Sequence, residues 1–421
     1  MERYSEYKDS GVQWLGEIPS HWTLLRNKAF MRITDEKVGK RKDVTLLSLT
    51  KQGVIVRDLS EGKGKFPKDF DAYLVVRPDN LVFCLFDIDE TPRTVGLVKN
   101  VGMLTGAYTN FEINKKLVLP EYAYYYYLQV DDVKGLRPYY TGLRKVVKTN
   151  TFSQLRMPLP PLTEQQAIVS YLDVKCSKLD TLVENKEKEI SLLSEMKQRI
   201  IADAVTRGLN PNVKFKRSNI PWLPEIPEYW EEKRLSSKFV GDVDVNKGFV
   251  YKHAFKFNYG ELVPKNETGD SEEYRDTYIK YSLIKKGDIL INGLNLNYDF
   301  VSQRVACAPN DGIITSAYLV CRPRKGVYYN YYTYLFKAMD GMKLFHGMGS
   351  GIRLTLSFKE LKKQMLTVPP LSEQQAIVSY ITERTAKIDS LIEKLNKEIE
   401  CIKEYKQRLI SDVVTGQIKV S

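Results

Sequence analysis

The chain has 421 residues, too many for one ordinary hydrophobic core, and a composition of 43% hydrophobic and 28% charged residues excludes a disordered polymer. Sixty-four lysines and arginines against 52 aspartates and glutamates leave a formal charge of +12, which favours a polyanionic partner. Five scattered cysteines without a CxxC pair and three histidines exclude a disulfide framework and a local zinc ligand set, so no bound metal is expected. The start, MERYSEYKDS, lacks an apolar signal core and no run approaches the length of a membrane span, which places the chain in the cytoplasm.

In chain order, a short frame comes first, Trp14-Leu-Gly-Glu-Ile-Pro-Ser-His-Trp22. The insert that follows, 23–159, is long enough for its own core and reads as mixed α/β, with β-rich stretches at 43–49 and 80–86. The tyrosine cluster 122–127 reads as a short helix packing near a domain edge. Next, Pro160-Pro-Leu-Thr-Glu-Gln-Gln166 predicts a helix starting at Thr163 with a capping box, which Gly208 and Pro211 stop. Every seventh position from Leu172 carries the seam residues Leu172, Leu179, Lys186, Leu193 and Ile200, apolar except for Lys186, with Ile168, Leu182 and Met196 half-way between.

A second frame, Trp222-Leu-Pro-Glu-Ile-Pro-Glu-Tyr-Trp230, stands 208 residues after the first. Its insert, 231–368, repeats the mixed α/β reading, with β-rich stretches at 287–292 and 317–321 and a tyrosine cluster at 328–334. A second long helix follows from Pro369-Pro-Leu-Ser-Glu-Gln-Gln375, starting at Ser372 and running to Gly416. Its seam is apolar throughout: Ile381, Ile388, Leu395, Ile402 and Leu409, with Ile377, Leu391 and Tyr405 half-way between. Matched at 209 residues, the two helix segments are identical at more than half of their positions.

Near-identical frames around divergent inserts imply one kind of partner met twice and two different targets. Helices of about 44 residues rise roughly 66 Å, more than a small domain needs, so the heptads read as an antiparallel coiled-coil spacer. Two amphipathic helices packed on their own domains are the plainer alternative. The boundaries fall at 1–160, 161–208, 209–369 and 370–421.

Basic and amide residues in expected loops are the candidates for nucleic-acid contact, since arginine reads guanine, asparagine reads adenine and lysine meets phosphate. They are Lys63, Lys65, Lys68, Arg93, Arg144, Lys145 and Lys148 in the first insert, and Lys247, Lys252, Asn295, Asn297, Arg304, Lys343 and Arg353 in the second. For any one of them a solubilising surface charge is an equally good account. Arg144 and Arg353 rank first, because Gly142-Leu-Arg144 and Gly351-Ile-Arg353 occupy matched places ahead of the helices.

No phosphate-binding loop, glycine-rich cofactor loop or nuclease signature is present, and Asn210-Pro-Asn212 lacks the remainder of an amino-methyltransferase motif. The chain therefore reads as a binder without catalytic residues. A coiled-coil scaffold that never meets DNA, or a stand-alone DNA enzyme with an unrecognised site, are the competing classes.

The paired frames WLGEIPSHW with PPLTEQQAIVSYL, and WLPEIPEYW with PPLSEQQAIVSYI, resemble the conserved regions of the specificity subunits of type I restriction-modification enzymes, and the resemblance covers the full chain. It implies an α/β fold of two target recognition domains, 23–159 and 231–368, separated by two long antiparallel helices related by a pseudo-twofold repeat. Each domain would read half of a split, asymmetric site on double-stranded DNA. The helices would set the spacing and dock two methyltransferase subunits, with restriction subunits joining through that complex. S-adenosylmethionine, ATP and Mg would be bound by those partners and no cofactor by this chain.

Overall fold

The computed structural model describes residues 2–12, 14–41, 43–57, 69–241, 243–265, 271–351 and 354–420. Contacts divide the chain into two units, Met1–Lys186 with Asn396–Ser421, and Glu187–Leu395. The sequence puts boundaries at the ends of the long helices. The contacts put them through the helix middles, so each unit holds one insert and half of each helix.

In the first unit an antiparallel four-stranded sheet runs in the order Met31–Thr34, Thr109–Ile113, Leu81–Phe83, Val95–Leu97. In the second the order repeats as Phe239–Val240, Leu319–Pro323, Ile289–Ile291, Val305–Cys307. The central strands Leu81–Phe83 and Ile289–Ile291 are buried at every position, which explains their continuous apolar sequence where a half-exposed strand would alternate. Each insert is closed at its root by a strand pair, Thr23–Arg26 with Arg156–Leu159 and Glu231–Arg234 with Met365–Val368. The two ends of each divergent segment therefore leave the frame side by side.

The tyrosine clusters lie in helices Pro120–Asp132 and Tyr329–Gly341, and these form the domain cores and not their edges: Tyr122, Tyr126, Tyr331 and Tyr332 are fully buried. Their hydroxyls are satisfied where the core allows it, as Tyr122 donates to the Pro158 carbonyl (2.9 Å) and Tyr331 to that of Val205 (3.1 Å). Burial pushes the phenols of Tyr122 and Tyr331 well above their ordinary range.

The long helices span Leu162–Arg207 and Leu371–Val414. They start one residue before the expected caps. Pro161 and Pro370 close the first turns through their carbonyls, accepting the amides of Gln165 and Gln374 at 2.9 Å, so Thr163 and Ser372 stand inside the helix. Gly208 and Gly416 end both helices with φ of 75° and 74°, the left-handed conformation that glycine adopts without strain. At Gly416 a Cβ would come within 2.3 Å of Pro19 Cδ, so the first frame packs directly on that helix end.

Within the first unit the helix segments run in opposite directions: Lys406 Nζ bonds Asp180 (2.7 Å) and Lys186 bonds Glu398. Within the second, Lys197 Nζ bonds Asp389 (2.6 Å), the same pair 209 positions on with the roles of the two helices exchanged. Toward the helix ends, Ile168, Leu172 and Leu409 join the first core, and Val205, Ile377 and Ile381 the second. Among the described residues no helix is long and apolar enough to cross a membrane.

The glutamate of each Glu-Gln-Gln triplet holds the last tryptophan of a frame. The buried Trp22 donates its indole N–H to Glu164 Oε1 (3.1 Å), and Trp230 donates to Glu373 Oε2 (3.0 Å). His21 also meets Glu164, and Tyr229 donates to Glu373. The two repeated motifs are thus halves of one joint.

Candidate nucleic-acid interface

In each unit the loop after the central strand and the hairpin ahead of the long helix are tied into one surface by main-chain hydrogen bonds. In the first unit, Asp87 N–H donates to the Arg144 carbonyl and Val147 N–H to the Leu85 carbonyl, both at 2.8 Å. In the second, Leu296 N–H donates to Leu354 (3.2 Å) and Leu356 N–H to Gly293 (2.9 Å). The hairpins close through the matched pairs Thr141 with Val146 and Ser350 with Thr355.

The loop of the first surface is braced by ion pairs. Arg144 is 73% exposed, reaches Asp87 (3.2 Å) and lies over the Phe86 ring. Lys145 pairs with Glu90 (2.7 Å) and Asp89 (3.0 Å). Asp89 also accepts from Arg137, and the two cations hold its carboxyl below the usual range. Leu143 stands fully exposed at the hairpin tip, and Lys148 is exposed just before helix Thr149–Gln154. Arg93 points inward to Asp131 and Asp132 (3.4 and 3.3 Å), a structural pair in place of a free contact.

The second surface differs in kind. Arg304, a candidate DNA contact from the sequence, is 0% exposed and cannot reach a base. Its guanidinium donates to the carbonyls of Asn292 (2.9 Å), Leu294 (2.8 Å) and Asp299 (2.6 Å), spanning the loop from beneath. Its amide donates to the buried Asp340 (2.7 Å), as Thr94 donates to Asp131 (3.0 Å) in the first unit. Burial raises the Asp340 carboxyl. Asp299 accepts from the hydroxyl and amide of Ser302 and the amide of Val301, which lower its carboxyl to about 2.

Asn295 is exposed with φ of 51°, whereas Asn297 and Lys343 are half-buried, the latter at the end of helix Tyr329–Gly341. Lys247 is exposed; Lys252 pairs with Glu272 (3.2 Å) and lies over the Phe249 ring. Lys63, Lys65, Lys68 and Arg353 lie outside the described residues. Sequence reasoning missed the apolar side chains this loop exposes, Tyr298, Phe300 and Val301. A signal for them was available: an apolar trio inside a stretch with the Asn, Asp and Ser of a surface loop.

Along the helices the seam residues are covered. Leu172, Ile381, Ile388, Leu395 and Leu409 are buried, and Leu179, Lys186, Leu193, Ile200 and Ile402 half-buried. The half-way row is covered only near the helix starts, at Ile168 and Ile377; Leu182 and Tyr405 in the first unit, and Met196 and Leu391 in the second, are exposed. Among the described residues no group of three His, Cys, Asp or Glu side chains is placed to hold a metal.

The family model for the type I restriction modification DNA specificity domain matches residues 94–192 and 227–401, more than half of the chain. The chain belongs to this family. The specificity subunit of the type I restriction enzyme MjaVIII of Methanocaldococcus jannaschii is 26% identical over 454 residues, across 100% of this chain and 98% of that protein. The EcoBI specificity subunit of Escherichia coli is 24% identical over 296 residues, 65% of this chain and 60% of that one. A solved structure described as the basis of complex assembly and conformational transition of the type I restriction-modification system shares the fold, with a TM-score of 0.65 and 15% identity over 95% of this chain and 99% of that one. As a type I specificity subunit, the chain carries both hairpins, 141–146 and 350–355, within the matched segments.

Proposed function

We propose that the two units read the two halves of one split, asymmetric sequence on double-stranded DNA, insert 23–159 one half and insert 231–368 the other. The observation that carries this is the loop-and-hairpin surface, tied in both units by main-chain bonds whose donors stand at matched positions and whose acceptors fall within one residue of them, with ion-paired polar groups on the loop of one unit and apolar groups on the loop of the other. One scaffold with two chemistries is what an asymmetric site requires. The chain supplies specificity, and the chemistry belongs to its partners.

The long helices act as the spacer, paired as an antiparallel coiled coil with pseudo-twofold symmetry. The equivalent pairs Asp180 with Lys406 and Asp389 with Lys197 support this. The exposed apolar pairs, Leu182 with Tyr405 in the first unit and Met196 with Leu391 in the second, are where two methyltransferase subunits dock, with restriction subunits joining through them. S-adenosylmethionine, ATP and Mg are bound by those partners.

Methylome sequencing of cells with and without the chain tests the reading, and the expected result is one bipartite motif that disappears with it. No motif change would refute it. Inserting one helical turn beside Lys186, with a matching turn at the opposed position of the second helix, should lengthen the gap between half-sites. Arg144→Ala should weaken recognition of the first half-site about tenfold and leave the second intact, consistent with the 1–3 kcal/mol of a base contact.

A further inference from the structure

In the second unit the loop 292–303 presents Val301 at 91% exposure, Tyr298 at 76% and Phe300 at 53%. Apolar groups held in water are a cost that a loop of polar residues would avoid. Here the loop is built to hold them. The buried Arg304 gives its guanidinium to four main-chain carbonyls of the loop, the Asp299 carboxylate fixes the amides of Val301 and Ser302, and Phe300 stacks on His346 at 4.5 Å. The turn at Gly260 packs beside Gln303, where a Cβ would come within 2.5 Å of its Oε1. A collapsed or disordered segment would have no such framework.

Bonded to that loop at Leu354 and Leu356 is the segment closed by Ser350 with Thr355, the counterpart of Thr141 with Val146 around Arg144 in the first unit. The equivalent loop of the first unit places Asp87, Asp89 and Glu90 in ion pairs and exposes no comparable cluster. On the edges of base pairs in the major groove, the one apolar group is the thymine C5 methyl. Val301, small, branched and 91% exposed, matches that methyl in size and polarity. We propose that Tyr298 and Val301, carried on the loop braced by Arg304, read thymine methyl groups in the second half-site. The inference rests on the DNA-reading function proposed above and specifies its chemistry in one unit.

The test uses the assembled complex with its methyltransferase partners and duplexes bearing the site identified from the methylome. Each thymine of the second half-site is replaced in turn by deoxyuridine, which lacks only the methyl. At least one replacement should weaken binding about fourfold, the effect of one buried methyl. The variant Tyr298→Ser with Val301→Ser should bind the unmodified site on the order of tenfold more weakly, lose its sensitivity to deoxyuridine, and still discriminate the first half-site. A wild-type complex that prefers its site yet tolerates deoxyuridine at every position of the second half-site overturns this inference alone. One with no site preference overturns the DNA-reading function as well. If the double variant fails to assemble with the partner subunits, the patch is a protein interface and the inference fails; if it assembles and keeps the deoxyuridine response, the inference fails as well.

Discussion

Arg304 is the residue whose role the structure changes most, and its replacement by methionine separates a loop brace from a DNA contact. Methionine fills a similar volume and keeps the main-chain amide bond to Asp340, so the perturbation falls on the guanidinium. Four carbonyls, of Asn292, Leu294, Asn295 and Asp299, lose a charged donor. At about 1.5–3 kcal/mol for a hydrogen bond to a charged group, these would sum to well above the opening energy of a surface loop. The realised cost is therefore capped near that opening energy, on the order of a few kcal/mol, because carbonyls freed by local opening are hydrated. Lysine, with a single ammonium, should recover part of it. Hydrogen exchange of peptides covering 292–304 should rise strongly in Arg304→Met and less in Arg304→Lys, with discrimination of the second half-site lost in the same order and that of the first unchanged. Wild-type exchange in this loop together with lost binding would refute the reasoning, because it would require Arg304 to act on DNA directly.

Glu373→Ala leaves the Trp230 indole N–H buried without an acceptor and should destabilise the second unit by about 1.5–3 kcal/mol in urea unfolding followed by tryptophan fluorescence. Glu373→Gln keeps an oxygen there and should cost less than about 1 kcal/mol; equal losses would argue against the joint. The Asp299 carboxyl sits at about 2 in the fold against 3.8 in the open chain. Its contribution to loop stability is thus fully present above about pH 4 and is lost as pH falls toward 2, and Asp299→Asn should remove that dependence from the exchange of 298–304. Lys186→Leu places in the first seam the residue found at Leu395 in the second. It trades a half-exposed ion pair worth about 0–1 kcal/mol for apolar burial of about 1–2 kcal/mol, so thermal unfolding should show no loss and up to about 1 kcal/mol of gain.

The long helices, their glycine ends and the double frame were legible because each leaves a periodic or repeated trace. Heptads mark one face, and Gly208 and Gly416 stop the pattern. The start was misplaced by one residue because Thr163-Glu-Gln-Gln166 fits a capping box, whereas Glu164 is occupied by Trp22 and Pro161 closes the turn. Nothing local in either motif tells that they touch, since 142 residues separate Trp22 from Glu164. Arg304 was misread for another reason: beside Asn295 and Asn297 it resembles a surface cation, whereas the loop folds its carbonyls 292–299 around the guanidinium. The arginine hairpin around Arg144 was found because its glycine and register recur.

The first unit contains Leu409, Ile410, Val413 and Val414 in its core, and its N-terminal segment is stitched to the other end of the chain by Tyr7 donating to the Gly416 carbonyl (2.8 Å) and Lys419 N–H to that of Glu2 (2.9 Å). The second unit lies wholly within Glu187–Leu395. On the ribosome, then, the part encoded first is finished last: residues up to 186 wait, with an open core, until the final turns emerge, while the second unit already has all of its pieces. A frameshift or stop codon near residue 400 would spare the later-encoded reader and disable the earlier one, the reverse of what linear gene order leads one to expect.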